Sequence, residues 1–133
     1  PRSLENLAQP QSYVLDELDQ ALVKSVAYYF ESMIEKILQY HQDHNASKEE
    51  AIVIANYYKT IGEQAKQVTT QKDLKKLIEV IEKLIIKISR YQHGDKKYRW
   101  DSNLQNHAIN RLKPILRKDL SSLQKRWPIS SGR

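Results

Sequence analysis

The stretch DLKKLIEVIEKLIIKISRY, residues 73–91, decides the fold. One apolar row in it is Leu74, Leu77, Ile78, Ile81, Leu84, Ile85, Ile88 and Tyr91, which recur at three and four residues. That spacing lines one face of a helix, whereas a half-buried strand would alternate. Thr70-Gln-Lys-Asp73 fits a capping box at its start, and Gly94 stands where a left-handed residue would end it.

The same period continues on both sides. Upstream, Ala51, Ile54, Ala55, Tyr58, Ile61, Ala65 and Val68 form the row of a preceding helix, opened by the capping box Ser47-Lys-Glu-Glu50. Its alanines predict close approach to a neighbour. A longer helix is predicted from Ser12, with the row Leu15, Leu18, Leu22, Val26, Tyr29, Met33, Ile37 and Tyr40, and with Asp16, Glu17 and Asp19 where the helix dipole favours negative charge. Downstream, a polar loop over 93–100 leads to a fourth helix starting at Asp101 or Ser102. Its row is Leu104, Ala108, Leu112, Leu116, Leu120, Leu123 and Trp127. Pro114 removes one backbone donor and crowds the Asn110 carbonyl, so a kink or break is predicted there.

Short connections favour antiparallel neighbours, so the fold class expected is an all-α antiparallel four-helix bundle with its fourth helix kinked or broken near Pro114. Residues 1–11 read as an N-terminal arm, 12–127 as one bundle domain and 128–133 as a tail. At 133 residues the chain is long enough to bury one core unaided. With only three glycines and four prolines, it has few helix breakers. Having no cysteine, it carries no disulfide framework and no thiolate metal site, which allows a reducing compartment. No apolar run approaches the roughly 18–20 residues of a membrane span, and the sequence as given opens with no signal peptide. A cytoplasmic location is the expectation.

Charge is unevenly placed. Residues 1–66 carry six Lys/Arg against ten Asp/Glu, net −4, and residues 67–133 carry sixteen against six, net +10. Such asymmetry concerns partners more than fold. On the third helix Lys76, Lys83, Lys87 and Arg90 share a face. On the fourth, Arg111, Lys118 and Lys125 recur every seven residues, with Arg117 and Arg126 beside them; between the two helices lies Lys96-Lys97-Tyr98-Arg99-Trp100. Cations release counterions from a phosphate backbone and rings stack on unpaired bases, so these residues are the candidate nucleic-acid contacts. The competing reading is a solvated face whose lysines pair with Glu79, Glu82 and Asp119.

Other signals are weaker. His41 and His44 have ligand-like spacing but no evident third ligand, and histidines at a helix end also suit the dipole. The paired Glu-x-x-His motifs of di-iron bundles, the P-loop and G-x-S-x-G are all absent from the sequence. No cofactor, metal, small-molecule substrate or catalytic activity is therefore expected. Tyr29 and Tyr58 fall on core rows, while Tyr28 and Tyr57 point sideways, where tyrosine suits a protein interface. Short basic bundles that line a nucleic-acid path in CRISPR surveillance complexes are similar in architecture, an analogy carried by no motif. The functional expectation is a non-enzymatic module that binds nucleic-acid backbone, DNA or RNA, without sequence preference, as an accessory subunit or fragment of a larger assembly. The alternative is a protein-interaction bundle that touches no nucleic acid. No membrane partner is expected.

Overall fold

The computed structural model describes residues 13–44, 48–91 and 100–116. Of these residues 91% are helical, in four helices with no strand among them. Helix α1 is Glu17–His44, α2 is Lys48–Lys66 and α3 is Gln71–Tyr91. Helix α4 covers 100–116, an α turn Trp100–Leu104 followed by a π-helical turn Gln105–Ile109 and a final α segment. The capping box at Ser47, the glycine at 94 and everything from Arg117 onward lie outside the described residues.

Helix α1 begins at Glu17, not at Ser12. Residues 13–16 before it are not helical and include an isolated antiparallel bridge between Val14 and Thr70. The Leu15 amide donates to the Thr69 carbonyl at 2.7 Å, and the Gln71 amide donates to the Tyr13 carbonyl at 2.9 Å. Asp16 then caps the helix, accepting the Asp19 amide at 2.7 Å. Of the row expected on α1, Leu15, Val26, Met33 and Ile37 are buried. Leu18 is 74% exposed, while Leu22 and Tyr29 are only partly buried; the residues that fill the interior are Val23, Val26, Ala27, Phe30, Met33 and Ile37. The buried face of α1 thus widens to take in Val23, Ala27 and Phe30, on the side where Ala27 and Phe30 meet Gly62 of α2.

Helix α2 has its whole row from Ala51 to Val68 buried. Small residues let it come close. A Cβ added to Gly62 would stand 3.5 Å from the Ala27 carbonyl oxygen and 3.5 Å from Phe30 Cβ. These are ordinary van der Waals contacts, and a glycine inside a helix costs about 0.5–1 kcal/mol relative to alanine. Gly62→Ala should therefore raise the unfolding free energy by about that amount in urea titration. A loss of stability would mean that α1 and α2 are closer than described.

Helix α3 starts much as the sequence implies. The Asp73 amide donates to Thr70 Oγ1 at 3.1 Å, and the Asp73 carboxylate accepts the amide of Thr69, not Thr70, at 3.3 Å. Leu74, Leu77, Ile78, Ile81, Leu84 and Ile88 are all buried. In α4 the departure from α geometry lies upstream of Pro114: the Asn110 amide reaches back to the Gln105 carbonyl, and the helix continues through Pro114 to residue 116. Trp100, Leu104, Ala108, Ile109, Leu112 and Ile115 close the core.

Candidate nucleic-acid interface

Four seams organise the surface, each marked by a side-chain contact or a groove. Between α1 and α2, Lys66 pairs with Glu31 and its ammonium lies 5.9 Å from the Tyr28 ring centre. Between α2 and α3, Lys87 Nζ donates to the Tyr57 hydroxyl at 3.1 Å and sits 5.0 Å from its ring centre. Between α3 and α4, Lys113 Nζ is 3.2 Å from Glu82. Between α4 and α1, His107 stacks on Tyr29 at 5.1 Å, and an open groove continues alongside.

The outer face of α3 follows from its inner one. With the apolar stripe turned to the core, Lys72, Lys75, Lys76, Glu79, Lys83 and Ile86 are exposed. Four cations thus stand against one carboxylate. From Lys72 to Lys83 the helix rises about 16 Å at 1.5 Å per residue, enough to follow several phosphates. Lys72 and Lys75 were not singled out from the sequence. Their signal was available, since they are the polar complement of the stripe.

The other expected contacts divide. Lys76 and Lys83 are on this face; Lys87 is half-buried and engaged with Tyr57 at the α2 seam. Arg111 is exposed, but it lines the groove towards α1 and so does not join the α3 lysines. Trp100 needs a correction: it is 4% exposed and part of the core, which leaves no ring face for a base. The side chain of Arg90, together with Lys96, Lys97, Arg99, Arg117, Lys118 and Lys125, lies outside the described residues.

Beneath the surface, Tyr58 is fully buried with its ring 5.1 Å from Phe30, and the hydroxyls of Tyr29 and Tyr58 have no hydrogen-bond partner among the described residues. Burial pushes the Tyr29 hydroxyl up to about 12. Tyr58 is pushed higher still, first by burial and then by neighbouring Tyr29 and Asp101. Both folded values exceed the roughly 10 of an unfolded tyrosine. The folded state therefore keeps protons that the unfolded chain releases, and stability is full below pH about 10 and falls as pH rises from there towards 12. The urea midpoint should drop across that window, and drop less in Tyr58→Phe. An equal drop in the variant would contradict this origin.

Among the described residues no group of three or more His, Cys, Asp or Glu is placed to hold a metal ion, and no helix is long and apolar enough to cross a membrane. The side chains of His41 and His44 lie outside the described residues. Comparison with protein-family models, with curated proteins and with solved structures finds no match to this chain.

Proposed function

We propose that this chain is a non-enzymatic helical module that binds nucleic-acid backbone through the outer face of α3, as an accessory part of a larger nucleoprotein assembly. The observation that carries this reading is the exposure of Lys72, Lys75, Lys76 and Lys83 on that face, with Glu79 the one fully exposed carboxylate among its described residues and Glu82, at its edge, paired with Lys113. Lysines on a helix surface address phosphates as point charges, without reading bases. With four phosphate contacts, the logarithm of affinity should fall against the logarithm of salt with a slope of about −3, alike for unrelated sequences. Fluorescence anisotropy with labelled single- and double-stranded oligonucleotides measures this. No binding at low salt would overturn the reading.

The supporting architecture is an up-down-up-down bundle. The Val14–Thr70 bridge places the start of α1 beside the α2–α3 connection, and α4 meets α1 at residues 107 and 29, then at 111–115 and 18–25. We take residues 12–127 as one domain, its fourth helix bending at the π turn and Pro114, and working in the cytoplasm. A protein-interaction role is the second reading, favoured by the exposure of Leu18, Tyr28 and Ile52 on α1 and α2.

A further inference from the structure

Among the described residues two tyrosines are exposed, and only one of them stands with the lysines of α3. Tyr28 is 63% exposed on α1, and the cation beside it, Lys66, is paired with Glu31. Tyr57 is 38% exposed on α2, and the cation beside it, Lys87, comes from α3.

The side of α3 next to Tyr57 carries more of the same charge. Lys83 precedes Lys87 by one turn and Lys76 precedes Lys83 by two, so the three share a side of the helix. Lys76 lines a small cleft with Gln64 of α2, which lies seven residues beyond Tyr57 and hence on the same side of α2. The α2–α3 seam therefore runs from Tyr57 and Lys87 at one end to Gln64 and Lys76 at the other. Along α3 that is about 16 Å, at 1.5 Å per residue.

The Tyr57 ring is also held in place. Lys87 Nζ is 3.1 Å from the hydroxyl oxygen but 5.0 Å from the ring centre. The ammonium thus sits towards the hydroxyl end of the ring and is not centred on a face. A ring fixed in this way loses little freedom when something stacks on it. Val53, one turn earlier on α2, is 40% exposed and adds apolar surface on the same side.

We propose that Tyr57 is the stacking platform beside the α3 lysines, and that the ligand of this surface is single-stranded nucleic acid. The proposal rests on the nucleic-acid reading and deepens it, by naming the strand form and the ring that selects it. An unpaired base next to a bound phosphate presents a π-face that a neighbouring ring can cover. In a duplex the bases are stacked on one another, so its backbone meets the lysines alone. Stacking tolerates every base and so adds no sequence preference. Tyr57 takes the part that Trp100, buried in the core, cannot play.

Fluorescence anisotropy of the full chain with labelled oligothymidylate, and with a duplex of equal length, tests this. The wild-type chain should favour the single strand. Tyr57→Leu keeps an apolar side chain but no π-face, and should weaken single-strand binding at least about fivefold while leaving the salt slope unchanged. Its duplex affinity should stay within about twofold of wild type, which also reports that the lysine face is intact. Tyr57→Phe and Tyr28→Leu should each stay within about twofold on both ligands. A wild-type preference for the duplex, an equal loss on both ligands in Tyr57→Leu, or no loss on the single strand would overturn the stacking proposal while leaving the lysine face standing. Binding of polyglutamate as tight as that of the single strand would assign the surface to acidic protein and overturn it too. A wild-type chain that binds neither oligonucleotide at low salt would overturn the proposal together with the reading beneath it.

Discussion

Phe30→Ala should lower the unfolding free energy by about 3–5 kcal/mol, the largest loss expected of any single substitution in α1. Phe30 is fully buried where α1 packs on Gly62 of α2. Its ring lies 5.8 Å from that of Tyr29, edge on, and 5.1 Å from that of Tyr58. Removing it deletes apolar contact on both helices and leaves a cavity that the helices cannot fill without losing their register. Leu18→Ala, by contrast, should cost under about 1 kcal/mol, because most of that side chain is already in water. Urea denaturation of both variants separates the described core from the row expected from the sequence. If Leu18→Ala proved the costlier of the two, the rotation of α1 would be wrong.

Replacing Lys72, Lys75, Lys76 and Lys83 together by glutamine should flatten the salt dependence of oligonucleotide binding, changing the slope by about 2.8–3.6. Exposed substitutions on a helix surface typically change stability within about ±0.5 kcal/mol each, so the variant should still fold. Lys87→Gln is the informative contrast. That lysine is tied to Tyr57, and its loss should leave the slope nearly unchanged. Equal effects from Lys87 and from the α3 lysines would remove the distinction between engaged and outward cations, and with it the site as drawn.

Much of the fold was legible because the periodic rows of α2 and α3 had no competitor. Every apolar position from Ala51 to Val68 that the spacing selected is buried. In α1 the row selected by the spacing includes Leu15, Val26, Met33 and Ile37, which are buried, but it also takes in Leu18, which is exposed, and passes over Val23, Ala27 and Phe30. Phe30 packs beside Gly62, forty-four positions beyond Leu18 in the chain. Local periodicity carries no information on that long-range match. The start of α1 was missed for a similar reason: the pairing of residues 13–15 with 69–71 is non-local. At the candidate site, charge density singled out α3 but could not assign each cation to a seam. Trp100 read as exposed because it ends a basic run, yet as the first residue of α4 it turns into the core.

The most direct measurement is a residue-by-residue map of amide chemical-shift changes as an oligonucleotide is added to the isotopically labelled full chain. The account predicts that, within the described helices, changes concentrate at Lys72, Lys75, Lys76, Glu79 and Lys83 and weaken as salt is raised, while Leu18, Ala21 and Leu22 in the α1–α4 groove stay silent. Changes centred on that groove, or none on α3 at low salt, would contradict it.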